Sequence, residues 1–335
     1  MPNLSKPNAH PLPLIVLTSL FFMWGFITCL NDILIPHLKA VFTLNYAQAM
    51  LVQFCFFAAY FVVSVPSGYL VEKCGYKNGI IIGLVVAGAG CLMFYPAAGV
   101  RSYALFLAAF FVLASGITLL QVAANPYVTL LGNPDTASSR LTLTQAFNSL
   151  GTTIAPYFGA LFILATAVKS VDEINLLNAA ELSAYQAAEA AAVRNPYLFL
   201  ASVLFLLAAV FAVLKLPAIQ AQQASSKATD SGKSAWHYPH LLLGAIGIFV
   251  YVGTEVSIGS FLVSFISNTG DLPEQQAAKY VSFYWGGAMV GRFVGAFVMQ
   301  KIQPGRVLLA HALAAAGLVV LTMFSSGYLA IWAML

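Results

Sequence analysis

The feature that most constrains this chain is a succession of apolar stretches, each about 20 residues long and nearly free of charge. They run Leu12 to Leu38, Ala47 to Leu70, Asn78 to Gly99, Ser102 to Leu131, Leu141 to Val168, Asn195 to Leu216, His240 to Ser267, Val281 to Gln300 and Val307 to Ser325. A helix of about 20 residues rises about 30 Å, the thickness of a bilayer's hydrocarbon core. Nine spans are therefore expected, with a tenth beginning near Ser326. Each must be helical, because an open strand edge would leave backbone groups unpaired in lipid. Composition agrees: 60% of residues are hydrophobic and 8% are charged. Soluble domains carry about a quarter charged residues, so this chain cannot cover a water-facing surface of ordinary size. The first stretch reads as a span and not as a cleaved signal peptide. It is long, only Lys6 precedes it, and no small-residue cleavage site follows.

The net charge of +4 is too small and too dispersed for nucleic-acid binding. The basic residues serve better as topology signals. With a cytoplasmic N-terminus, Lys6, Lys73, Lys77, Arg140, Lys215, Lys227, Lys233, Lys301 and Arg306 are cytoplasmic, and Lys39, Arg101, Lys169, Arg194 and Lys279 are opposite. Nine against five favours that orientation. Cys29, Cys55, Cys74 and Cys91 form no C-x-x-C pair and suggest no disulfide framework. His237 and His240 share a helix face without a third ligand nearby, so no metal site is expected, and no cofactor.

One segment interrupts the apolar rhythm. Gln220 to Lys233 reads QAQQASSKATDSGK, the composition of a flexible linker. It separates a six-helix bundle, residues 1–218, from residues 237–335, with 219–236 as a cytoplasmic linker. The loop Lys169 to Arg194 is Ala- and Glu-rich and suits a short helix outside the membrane. Gly68 to Gly79, GYLVEKCGYKNG, is loosely repeated as GAFVMQKIQPGRVL, Gly295 to Leu308. Two six-helix halves joined by a cytoplasmic linker is an architecture of transporters built from parallel repeats.

Several polar residues sit where apolar ones are cheaper. Asp32, in CLNDILIP, lies in the outer part of span one beside Asn31. It is either a group that loads and releases a cation or an interfacial cap of a helix end. Glu255, in YVGTEVSIGS, lies near the middle of span seven, and its helix carries no Lys or Arg. Contact with substrate or a cation is its best use. Arg292, in VGRFVG of span eight, either pairs with Glu255 or snorkels to the cytoplasmic face. Its nearness to the basic loop at Lys301 favours the second, a gating or snorkelling role. Gln121 and Asn125 are four apart in LQVAANPYV, where Pro126 removes a backbone donor; Gln145 and Asn148 are three apart in TQAFNSLG. Such amide pairs either bind hydroxyls, since amides both donate and accept, or join helices.

Gly68, Glu72, Lys73, Gly75 and Lys77 fit G-x-x-x-[DE]-[KR]-x-G-x-[KR] and resemble the loop-2/3 signature of the major facilitator superfamily. FFMWGFITCLNDILIPHL, LQVAANPYVTLLG, RLTLTQAFNSLGT, YVGTEVSIGSFLV and GRFVGAFV together resemble its fucose–galactose–glucose–proton symporter family, and within it the bacterial glucose/galactose transporters. The resemblance runs from about Leu14 to the end. It implies an all-α major facilitator fold of twelve spans, of which this chain holds the first half and an incomplete second. It also implies that the 335 residues alone do not transport. In fucose-carrying members the Asp of N-D-I-L is a protonation site, a role that falls on Asp32. The Gln and Asn of Q-T-F-N-S face the sugar, which falls on Gln145 and Asn148. The titrating Glu of E-T-A-A-N-P is replaced here by Gln121, and Glu255 stands where those members have Gln.

The resemblance therefore implies a monomeric, multi-pass bacterial inner-membrane importer of hexose, glucose or galactose, driven by H⁺ or Na⁺ and not an enzyme. Asp32 and Glu255 are the expected coupling-ion residues. Asn31, Gln121, Asn125, Gln145, Asn148 and Glu255 are expected to line the sugar path. Gly68, Glu72, Lys73, Gly75, Lys77 and Arg292 are expected to gate it. The rivals are an L-fucose–proton symporter and a drug or metabolite antiporter of the same fold. A membrane enzyme would need a nucleophile with a base or a metal set, and no such cluster is visible.

Overall fold

The structure is a computed structural model that describes residues 11–42, 44–162, 173–174, 176–216 and 237–335; some side chains within the helices, those of residues 31–37 among them, lie outside that description. It divides into two compact units, Met1–Ser225 and Ser226–Leu335. The expected linker, 219–236, lies outside the described residues.

Every described element is a helix. The first unit holds α1 (Pro11–Phe42), α2 (Tyr46–Val100), α3 (Tyr103–Leu130), a 3₁₀ turn (Pro134–Thr136), α4 (Ala137–Phe162) and α5 (Ala179–Val213). The 55 residues of α2 would span about 80 Å if straight, far more than one bilayer crossing. It is broken at Gly75, whose φ of 83° and ψ of 163° are open to glycine and costly for other residues. Gly79 lies so close to Val71 that a Cβ added there would meet Val71 Cγ2 at 2.8 Å. Eight residues apart in a straight helix are separated by about 12 Å, so the chain folds back at Gly75. The turn expected in GYLVEKCGYKNG is thus present, and α2 supplies two crossings.

Among the described residues, seven stretches are long and apolar enough to cross a membrane: Pro13–Leu30, Met50–Val100, Tyr103–Leu130, Ala179–Val213, Pro239–Gly259, Lys279–Val298 and Pro304–Phe324. The helix α4 is not one of them, because Gln145, Asn148 and neighbouring Ser and Thr residues lower its hydropathy; the end of the expected span, 163–168, is outside the described residues. Large apolar side chains such as Phe61, Val213, Phe249 and Phe324 are at least 80% exposed, which suits a lipid solvent and not water. Packing in the first unit relies on close backbone approach between the second half of α2 and α3. A Cβ added at Gly116 would meet Ala87 Cα and Gly83 O at 2.7 Å.

The helix expected within Lys169 to Arg194 is present from Ala179, and it runs on into span six. The helix α5 runs unbroken for 35 residues, about 52 Å. Asn178 and Glu181 form a capping box at its start, and the Ala-rich run that follows has high helix propensity. The extension therefore continues the span. Arg194, inside it, stacks over the Tyr95 ring at 4.0 Å.

The second unit holds α6 (Pro239–Gly270), α7 (Glu274–Val298), α8 (Pro304–Phe324) and the short α9 (Gly327–Met334). Its small core is Leu262, Ile266, Ala277 and Ile331. Toward the start of α6 no residue of Pro239–Gly259 is buried, so the polar groups there are held by side-chain bonds and not by a packed core.

Candidate functional site

In the first unit, polar groups from four helices meet in pairs. Gln121 of α3 donates from Nε2 to the Tyr60 hydroxyl of α2 at 3.1 Å. The Thr28 hydroxyl of α1 donates within its own helix, to the Trp24 carbonyl at 2.8 Å. Gln145 of α4 donates from Nε2 to Asn125 Oδ1 of α3 at 3.5 Å. Asn148 Nδ2 donates to the Phe21 carbonyl of α1 at 3.0 Å. The last contact needs Gly25, since a Cβ there would meet Asn148 Nδ2 at 2.6 Å. A residue larger than Gly at that position would push α4 away from α1.

All four amides are half-buried. Among the described residues, the side-chain oxygens of Gln121 and Gln145 and the amide nitrogen of Asn125 meet no partner. The two expected pairs thus become three separate contacts that join helices, and Gln121, Gln145 and Asn125 still have donors or acceptors to spare. Both readings of these amides, glue and hydroxyl ligand, are chemically open to the same side chains. Tyr60 escaped the sequence reading; nothing in its spacing sets it apart from the other aromatic residues of its helix. The backbone at Asn31 and Asp32 belongs to α1, but their side chains lie outside the described residues.

In the second unit the contacts centre on Glu255. Arg292 Nη2 of α7 lies 2.9 Å from Glu255 Oε1. Tyr251, one turn earlier on α6, donates to the same oxygen at 3.0 Å. Arg292 Nη2 also donates to the Tyr251 hydroxyl at 3.4 Å. The Tyr284 hydroxyl of α7 donates to the Glu255 backbone carbonyl at 3.2 Å. The carboxylate side chain is 16% exposed and the guanidinium side chain 28%. The leaning toward a snorkelling Arg292 is corrected here: the guanidinium turns to the carboxylate. Two opposite charges at hydrogen-bond distance and largely removed from water attract more strongly than hydration at the interface favours a snorkelling guanidinium. Tyr251 was legible in principle, since positions four apart share a helix face.

Lys77 Nζ donates to the Ala212 carbonyl at 2.9 Å, one of the unpaired carbonyls at the end of α5. Glu72 and Lys73 are exposed, and Gly68 has open space beside it. Arg140, first read only as a topology signal, ties down the end of α3. Its guanidinium donates to the carbonyls of Val128 at 3.3 Å, Thr129 at 2.9 Å and Asn133 at 2.7 Å, and to the Thr136 hydroxyl at 2.6 Å.

Many helices long and apolar enough to cross a membrane, with half-buried amides in the first unit and an ion pair in the second, define a multi-pass membrane protein. The chain belongs to the major facilitator superfamily, whose family model matches residues 15–335. It is 57% identical over 333 residues to the glucose/galactose transporter of Brucella abortus biovar 1 (strain 9-941), covering 99% of this chain and 77% of that protein. It is 34% identical over 335 residues to the L-fucose-proton symporter of Escherichia coli (strain K12), covering 98% of this chain and 76% of that one. It also resembles the crystal structure of the major facilitator transporter FucP in the outward conformation. There the TM-score is 0.86 and the identity 33%, covering 98% of this chain and 80% of the other.

Proposed function

We propose that this protein imports a hexose, glucose or galactose, by alternating access driven by a cation gradient. The observation that carries the reading is the set of half-buried amides Gln121, Asn125, Gln145 and Asn148, whose helix-joining bonds leave donors and acceptors unused. A sugar presents hydroxyls that both donate and accept, and amides match both roles. The 57% identity to a glucose/galactose transporter supports hexose over other polar solutes, and the lower identity to the L-fucose symporter ranks fucose behind it. In the first unit, Asn31 joins the amides as a sugar ligand and Asp32 loads the coupling cation, H⁺ or Na⁺. In the second, Glu255 serves the sugar or the cation. The protein works as a monomer in a bacterial inner membrane with its N-terminus cytoplasmic, and Lys77, Arg140 and the Gly75 turn stabilise one end state.

The test is uptake of labelled glucose, galactose and fucose into membrane vesicles holding the protein expressed from its native gene. Proton and sodium gradients are imposed separately. Glucose and galactose should accumulate under one gradient and not the other. Accumulation of neither sugar under either gradient would remove the proposal.

A further inference from the structure

On the reading that the protein carries sugar, the contact between α2 and α3 adds a residue to the sugar site. We infer that Tyr60 is a positioning residue: it holds the amino end of the Gln121 amide, so that Gln121 meets sugar as a hydrogen-bond acceptor through Oε1. Gln121 Nε2 donates to the Tyr60 hydroxyl at 3.1 Å, within the ordinary range for such a bond. Oε1 meets no partner among the described residues, and the side chain is half-buried. An amide carries its donor and its acceptor on one planar carbon, so fixing the nitrogen fixes the oxygen.

Tyr60 is itself held. Its ring lies 5.5 Å from that of Phe56, one turn earlier on α2, and 6.3 Å from that of Phe57. Phe56 is buried in the core of the first unit. A glutamine side chain loses more rotamer freedom on being fixed than a packed aromatic ring does, so the ring is the stiffer member of the pair. The other amides are held differently. Asn148 is tied to the Phe21 backbone carbonyl at 3.0 Å, and Gln145 reaches Asn125 only at 3.5 Å, beyond the usual range. Gln121 alone among them takes its orientation from a hydroxyl, a group that one substitution removes. The two orientations of its amide recognise opposite partners. With Nε2 turned to Tyr60, the end left over accepts, and the sugar must supply the donor. A hydroxyl supplies one; hydrogen or fluorine in its place does not.

The test is competition against labelled galactose in counterflow, in vesicles holding the protein expressed from its native gene and normalised to the amount in the membrane. The competitors are galactose and its monodeoxy and monofluoro derivatives, each lacking one hydroxyl. Fluorine keeps a weak acceptor and no donor, so a hydroxyl that the site uses as a donor is lost equally in both. At one position the deoxy and the fluoro derivative should both compete about ten-fold more weakly than galactose with wild type. That penalty should vanish in Gln121→Leu. Tyr60→Phe should raise the galactose half-saturation about three- to ten-fold and shrink the penalty at that same position, leaving the penalties elsewhere as in wild type. A structural defect lowers the amount of protein or weakens all competitors alike; it does not single out one hydroxyl. A wild-type half-saturation in Tyr60→Phe, or every derivative weakened alike, would overturn the inference. So would a fluoro derivative that competes like galactose at the position Gln121→Leu marks, because the amide would then present its nitrogen. Wild-type vesicles without galactose counterflow would overturn the transport reading itself, and this inference with it.

Discussion

Removing the Glu255–Arg292 pair one charge at a time shows how much of the second unit's stability rests on it. At 2.9 Å the gross attraction of two unit charges is about 6 kcal/mol for an effective dielectric near 20. Most of that is offset by desolvation and by fixing two long side chains. Exposed pairs retain about 0.2–1 kcal/mol, and breaking a buried pair costs about 3–5 kcal/mol. With side chains 16% and 28% exposed, the pair sits between these limits, and a coupling of about 2 kcal/mol is expected. The perturbations are Arg292→Gln, Glu255→Gln and both together. Arg292→Gln should be the most damaging, because it leaves an anion that Tyr251 alone must stabilise. The double variant should recover part of that loss. Reversible denaturation in mixed micelles, followed by tryptophan fluorescence, reads it; Trp285 packs on Gly259 of the same helix pair. A coupling below about 0.5 kcal/mol would mean a solvated pair, and the account of a partly buried ion pair between α6 and α7 would fail.

Other outcomes follow from the same geometry. Gly116→Leu should destabilise the first unit by about 1–3 kcal/mol in the same denaturation assay, since its Cβ meets backbone atoms of Ala87 and Gly83 that cannot yield. Arg140→Ala should cost about 1–3 kcal/mol, because the carbonyls of Val128, Thr129 and Asn133 lose a charged donor. Arg140→Lys should restore only part of this, since an ammonium cannot span the same acceptors as a planar guanidinium. On the proposed coupling role, Asp32→Asn should abolish accumulation while exchange partly survives; uptake unaffected at every pH would remove Asp32 from the mechanism.

The spans were legible because bilayer thickness and backbone pairing leave one solution for a long uncharged stretch. The turn at Gly75 was legible for the same kind of reason, since a basic, glycine-bearing break must separate two apolar runs. The helix α4 shows where hydropathy stops informing: its amides and hydroxyls lower the apolar signal because they face protein and not lipid. The continuity of α5 with its polar extension was not legible, because a polar composition does not distinguish a separate helix from the continuation of a span. At the site, residue types were readable and partners were not. Glu255 stood out as an expensive charge, but which way Arg292 turns depends on how α6 and α7 are placed, and sequence spacing within one helix carries nothing about its neighbour. Tyr60 and Tyr284 were invisible for the same reason, because each meets its polar partner across a helix pair.

The most direct measurement of the central claim is counterflow of labelled galactose into vesicles loaded with excess unlabelled glucose. A carrier that alternates access to one sugar site should show a transient overshoot of label, diminished by external glucose. Slow equilibration without overshoot, in vesicles where the protein is present and folded, would contradict hexose transport by this protein.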